Sequence, residues 1–399
     1  MLPSHRSLPL PYHLFDLAGR QAEQLGLRLG DLRPETLMQD AHRLTGLDDF
    51  GNPYFQAGLE KLLESLEKDA HLRFYGRLVM RFMIANSLSQ RLLFVHVDKE
   101  NPGLFQSLTQ PPIVVTGLHR SGTTFLHRLL ALDPAHASLP FWWLYRPFQV
   151  HGLMNLRKIK AWAELAILKP IFPAIQCKHR IRPSDPEEST WMLGQTFHSM
   201  VFWILAPVTS YLGWLWEQDF RPVYQDYARL LAACQSAAPG KRLVLKAPDH
   251  MPHLDLLLDA LPGAHIVQLH RDPATCVLSL SSLFYSTHIA LSENVQPRVM
   301  AETNQAMTAN FIRANRRIRQ DPAVDSLVLD LDFKELVADP LGTVRRIYTR
   351  FGLDFSKHFA DKLAQFIGKQ KNHTLHSHRY TGDQFGLSEP AMRAFFQDL

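Results

Sequence analysis

The stretch "IVVTGLHRSGTTFLHRLL", residues 113–130, decides how the rest of the chain is read. A β-branched run ends at Gly117, four residues lead to Gly122, and an apolar pattern of helical period follows. The order is strand, loop, helix, and the Gly117-to-Gly122 spacing is that of G-x-x-x-x-G-K-[ST], a loop that cradles phosphate. Where that loop carries lysine this chain has Thr123, followed by Thr124. Glycines let successive backbone N–H groups turn inward, and the next helix adds the positive end of its dipole, so an anion is favoured whatever the side chains. Without the lysine there is no cation for β- and γ-phosphates. Arg120 places a fixed charge in the loop instead, and Ser121, Thr123 and Thr124 offer hydroxyls. A nucleotide with a short 5′ chain is the expected ligand. His119, also in the loop, is expected to touch that ligand or to pack beneath it.

Three more apolar runs have the β-branched content of buried strands: residues 242–248, 264–270 and 326–332. Continuous rather than alternating hydrophobicity implies burial on both faces, as in a parallel sheet. Helical patterns separate them, at 122–132, 250–260, 273–285 and 299–319. The expected fold is therefore α/β, a three-layer P-loop-like parallel sheet flanked by helices, with ligands at the carboxyl ends of the strands. Residues 1–108 read as a helical N-terminal region and 109–399 as the α/β domain.

Composition narrows the function classes. Of 399 residues, 43 are Lys or Arg and 38 Asp or Glu, and the net charge of +5 is dispersed rather than clustered, which fits a local anion site and no nucleic-acid face. Cys177, Cys234 and Cys276 are odd in number and far apart, so a cytoplasmic protein without disulfides is expected. Prolines and charges interrupt the first 20 residues, against an export signal. Residues 189–216 lack Asp, Glu, Lys and Arg, yet Gln195, His198, Pro207, Thr209 and Ser210 break the run. Buried helices over an apolar pocket are expected there, with peripheral lipid contact as the alternative to no membrane contact.

A second anion site is expected at "VQLHRDPATCVLSL", residues 267–280. Arg271 closes a strand, Asp272 and Pro273 make an N-cap and first helical residue, and Ser279 follows eight residues after Arg271. Together, residues 117–130 and 270–279 resemble the two signatures of sulfotransferases that use 3′-phosphoadenosine-5′-phosphosulfate (PAPS), in the bacterial-type branch. By that resemblance Arg120, Ser121, Gly122, Thr123 and Thr124 hold the 5′-phosphosulfate, Arg271 and Ser279 hold the 3′-phosphate, and no metal is needed; Gly117 and His119 complete the expected donor site. Residues 44–63, 328–353 and 376–388 are similar to other parts of that branch. Trp143 stands where related enzymes often carry a glutamate.

Sulfuryl transfer needs a base for the attacking hydroxyl and a donor for the leaving phosphate. "LVLKAPDHMPHLDLLL", residues 243–258, resembles a Lys-x-His segment, which makes Lys246 the donor and His250 the base; a helix-capping histidine is the other reading. Glu187 and Glu188 precede the uncharged segment, and Glu188 is the rival base unless both simply begin a helix after Asp185 and Pro186. The catalytic candidates are His250, Lys246, Glu188 and Arg120. Aromatics at 141–145 and 197–216 imply a small-molecule acceptor that is apolar or aromatic. A P-loop small-molecule kinase and a non-catalytic nucleotide-binding protein are the alternative readings.

Overall fold

A computed structural model of the chain describes residues 10–27, 29–105, 108–149, 155–172, 178–179, 181–371 and 381–399. Cys177 and the first five residues of the 376–388 stretch lie outside them. At its centre five strands run parallel: β1 (Ile113–Gly117), β2 (His136–Ser138), β3 (Arg242–Lys246), β4 (His265–His270) and β5 (Val328–Asp332). Their order is β2-β3-β1-β4-β5. The four expected strands are all present. The edge strand β2 was not expected, because the three residues His136, Ala137 and Ser138 carry no apolar run; pairing of His136 with Arg242 and Ser138 with Val244 makes them a strand.

Both faces of the sheet are covered, which explains the unbroken hydrophobicity of its strands. Ile113 and Val115 join Leu126 and Leu129 of the helix Thr123–Leu130 and Val344 and Ile347 of the helix Pro340–Arg350. Val114, between them, points the other way, to Leu230 of the helix Arg221–Gln235 and Leu254 of the helix Leu254–Ala260. The result is three layers. Residues 250–260, read as one helix, divide into a 3₁₀ turn over Pro248–His253 and a helix from Leu254, since Pro252 removes a backbone donor.

Among the described residues four α-helices precede β1: Leu10–Gln24, Pro34–Thr45, Tyr54–Lys68 and Phe74–Glu100. Their apolar faces meet the helices Pro273–Leu291 and Pro297–Ile318 in one core that includes Leu59, Met80, Val277 and Met307. Gly76 marks the closest approach: a Cβ there would stand 2.1 Å from the Leu291 carbonyl oxygen. The uncharged stretch 189–216 forms three short helices, Thr190–Leu193, Val201–Leu205 and Thr209–Leu215, with Phe197, Phe202 and Trp203 fully buried. Among the described residues two helices are long and apolar enough to cross a bilayer, Phe74–Glu100 and Pro273–Leu291, and both bury most of that length within the protein.

Candidate active site

Strands on one side of β1 are reached through β2 and β3, those on the other through β4 and β5, so a crevice opens beside β1 at the carboxyl ends. Gly117 ends β1, Lys246 ends β3, Arg271 follows β4 and Phe333 follows β5. The chemistry gathers there. Gly117 has φ 135° and a Cβ on it would lie 2.4 Å from the Leu269 carbonyl oxygen; Gly122 has φ 101° and a Cβ on it would lie 2.7 Å from the Phe333 ring. Both positions require glycine. Gly122 then caps the helix that carries Thr123 and Thr124 in its first turn.

The second motif meets the first. Asp272 accepts a hydrogen bond from the Thr275 N–H at 3.1 Å and Pro273 occupies the first turn, so the helix starts where the sequence indicates and presents Ser279 to the loop. Arg120 Nε donates to Ser279 Oγ at 3.1 Å. Arg271 Nη1 donates to the Arg120 carbonyl at 2.7 Å, and its guanidinium lies 4.2 Å from the Phe333 ring centroid. Two motifs some 150 residues apart thus form one cationic corner. Phe333 supports it from below and against Gly122, a role that the sequence does not signal.

This corner opens into a cavity of about 960 Å³, near the top of the ~300–1,000 Å³ usual for small-molecule sites. Its walls include His119, Arg120, Gly122, Thr123, Thr124 and Arg271, and also Phe141, Tyr145, Trp191, Leu280 and Phe284. Ser121 does not join them. It is fully buried with its hydroxyl turned under the loop, because its Oγ fills the space beside Gly117. Ser279 is likewise buried, bonded to Arg120 and off the cavity wall. His119 lines the cavity and is held neutral, its pKa pushed down to about 4 by burial.

Glu188 is a wall residue, paired with the buried Lys246 Nζ. Lys246 also donates to Thr124 Oγ1 at 3.3 Å and lies 3.9 Å from Glu187 Oε1. Burial raises the affinity of Glu188 for a proton, but the Lys246 ammonium outweighs it and holds the carboxyl below its usual range. Burial also opposes ionisation of Glu187, and there His179, its Nε2 3.3 Å from Oε1, with Lys246 after it, outweighs burial and lowers the carboxyl. The glutamates do not begin a helix. Pro186 bridges to Pro140 in antiparallel sense, and the helix starts later, at Thr190.

His250 stands apart from the cavity. It is fully buried, with Nδ1 3.0 Å from the Tyr224 hydroxyl and Nε2 3.2 Å from both the Tyr227 hydroxyl and Ser189 Oγ. Burial pushes its pKa down to about 3, so it is a neutral spacer in a hydroxyl cluster. The 3₁₀ turn at Pro248–His253 causes this, since it carries His250 away from the strand end that presents Lys246. Trp143, in the place of the family glutamate, is also off the cavity wall, with the Arg157 guanidinium 5.8 Å from its ring. Most of the tryptophans and phenylalanines at 197–216 belong to the core rather than the cavity.

Sequence reasoning missed Lys178 and His179. Both line the cavity, and Lys178 Nζ reaches Ser282 Oγ and Ser286 Oγ at 2.7 Å each. They stand in a stretch without periodicity, so nothing local marks them. Asp249, 3.9 Å from His119 Nε2, was also missed; burial first, and Glu188 second, push its pKa up to about 7.

Residues 111–357, more than half of the chain, match the sulfotransferase family. The chain belongs to the sulfotransferase family. Sulfotransferase STF1 from Mycobacterium tuberculosis H37Rv superimposes with a TM-score of 0.80 at 30% identity, covering 92% of this chain and 99% of that one. STF9 from Mycobacterium avium has the same fold, with a TM-score of 0.81 at 21% identity over 92% of this chain and 96% of its own. The omega-hydroxy-beta-dihydromenaquinone-9 sulfotransferase Stf3 of Mycobacterium bovis is 23% identical over 365 residues, 83% of this chain and 85% of its own. The kinase and the non-catalytic readings give way to an enzyme that transfers sulfate. Among the described residues of this sulfotransferase, no group of three or more His, Cys, Asp or Glu could hold a metal.

Proposed function

We propose that the enzyme moves a sulfuryl group from PAPS to the hydroxyl of an apolar small molecule, with Glu188 as the base. The observation that carries this is the meeting of Arg120 and Arg271 on the cavity wall beside the glycine loop, with the buried Ser279 holding Arg120 from behind and aromatic and aliphatic side chains on much of the remaining wall. The donor fits the residues present. It is an adenosine with one 5′-phosphate bearing sulfate and a separate 3′-phosphate, so one anion falls to the loop amides with Thr123 and Thr124, and the other to Arg271 and Ser279.

In the reaction the acceptor oxygen forms a bond to sulfur as the bond from sulfur to the 5′-phosphate oxygen breaks. The acceptor proton passes to Glu188, and the negative charge left on the phosphate is met by Lys246. The ion pair between these two suits the first task, since Lys246 keeps the Glu188 carboxylate ionised at the cavity wall. His119 remains a neutral wall group that can bond to donor or acceptor. Apolar lining at Phe141, Tyr145, Trp191 and Phe284 supports an acceptor that carries its hydroxyl on an apolar body. The named substrate of Stf3, a hydroxylated menaquinone, is of that class.

The test is transfer of labelled sulfate from PAPS to a panel of apolar alcohols, phenols and sugars, with Glu188→Gln beside wild type. Loss of a general base lowers turnover by about 10²–10⁴-fold, while calorimetric affinity for adenosine 3′,5′-bisphosphate stays the same. Preference for Mg²⁺ATP over the bisphosphate, or full turnover in the variant, would overturn the assignment.

A further inference from the structure

The helix Arg157–Leu168 has two faces that are both accounted for by what they meet. Inward, Ala161 is buried and Glu164, Leu165 and Leu168 line the cavity. That face is anchored by Arg146, which bonds Glu164 at 2.7 Å, and by the Arg157 guanidinium 5.0 Å from the Trp142 ring. Outward, the helix is not polar, as a soluble protein's surface helix should be. Ile159, Trp162 and Ile167 are 58%, 64% and 68% exposed, with Ala166 exposed between them. Their spacing of i, i+3, i+7 and i+8 puts them on one stripe. The exposed Lys158, Lys160 and Lys169 edge it, Lys160 on one side and Lys158 and Lys169 on the other.

An apolar stripe with a tryptophan, bordered on both sides by lysines, is the pattern of a helix lying in the plane of a membrane surface. The rings and branched chains enter the acyl boundary, and the ammonium groups reach anionic headgroups at its edges. We infer that Ile159, Trp162 and Ile167 dock this enzyme on an anionic lipid surface, with the lysines as the contacts to the headgroups. The partner is a bilayer carrying negative lipid, because the flanking charges are all positive and the stripe itself is uncharged. This deepens the acceptor reading above and rests on it for one point, that the docked helix is the cavity wall through which an apolar alcohol would leave the membrane. The uncharged segment 189–216, the first place to look for lipid contact, is instead folded into the core.

Vesicle flotation of the full chain tests the inference. Wild type is expected to float with phosphatidylcholine vesicles containing phosphatidylglycerol and to float weakly with phosphatidylcholine alone. A lysine close to an anionic leaflet is worth about fivefold in partition, so Lys158→Gln/Lys160→Gln lowers binding roughly 25-fold. Trp162→Glu abolishes it, and both variants keep the wild-type melting profile. Brominated lipid quenches part of the tryptophan emission in wild type, and Trp162→Phe loses that part while still floating. Equal flotation on neutral vesicles, wild-type binding by both variants, or a dimer in sedimentation that Trp162→Glu dissociates in the absence of any vesicle binding would each overturn the inference. Sulfate transfer to a water-soluble alcohol is expected to be the same in the variants and wild type. Its absence in wild type and variants alike would count against the proposed function and leave the lipid result standing.

Discussion

Arg271→Ala, measured with two nucleotides, separates the 3′-phosphate contact from general support of the loop. Arg271 donates to the Arg120 carbonyl at 2.7 Å and its guanidinium stacks 4.2 Å from the Phe333 centroid, so its removal loosens the loop for any ligand. One hydrogen bond of that kind is worth about 1 kcal/mol, roughly fivefold in Kd. The charge on the 3′-phosphate is a different quantity. A hydrogen bond to a charged group is worth about 1.5–3 kcal/mol, and a cation near a phosphate at about 4 Å sets an upper bound close to 4 kcal/mol at an effective dielectric of about 20. Arg271 is only partly buried, which favours the lower half of that span. Calorimetry should therefore show adenosine 3′,5′-bisphosphate weakened by about 10²-fold and adenosine 5′-phosphate by about fivefold, a coupling near 2 kcal/mol. The salt dependence of the bisphosphate should also flatten in the variant. Equal losses for the two nucleotides, with coupling under about 0.5 kcal/mol, would refute the assignment of the 3′-phosphate to Arg271.

Three further outcomes follow from buried groups. Because Lys246 holds the Glu188 carboxyl below its usual range, it is ionised throughout neutral pH, and kcat should stay flat down to about pH 5; a limb between pH 6 and 7 that persists in Asp249→Asn would point to a histidine base. His250→Ala strands the Tyr224 hydroxyl, while Tyr227 keeps its bond to Ser189, at an expected cost of about 1–3 kcal/mol in urea unfolding, with kcat of the folded enzyme unchanged; a hundredfold fall in kcat at full folding would restore His250 as the base. Asp249 has a folded pKa raised to about 7, so the folded state holds its proton more tightly than the unfolded state. Its stabilising effect is complete below about pH 4 and disappears as pH rises through 7, by up to about 4 kcal/mol. Asp249→Asn should therefore melt above wild type at pH 8, with the difference closing toward pH 4; the same melting difference at both values would contradict the buried, protonated carboxyl.

The strand-loop-helix at 113–130 and the start of the helix after Arg271 were legible in the sequence, because both rest on local rules. Glycines at positive φ, a proline in a first turn and an Asp N-cap act over a few residues, and a sheet covered on both faces writes itself as unbroken apolar runs. The position of Gly122 against Phe333, and the pairing of Arg120 with Ser279, were not legible, since they depend on β4 and β5 lying beside β1. The choice of base shows the division most clearly. A histidine four residues past Lys246 is a plausible base on spacing alone, but the turn made by Pro248 and Pro252 drives it among three hydroxyls, while Glu188, nearly 60 residues earlier, is brought to the lysine by the crossing of a loop that has no periodicity. Sequence by itself determined four of the five strands, the glycine loop and the family, which short-range backbone chemistry and hydrophobic period encode. Only the tertiary structure decided which ionisable groups share the cavity, because charge partners and burial are properties of distance in space rather than of separation along the chain.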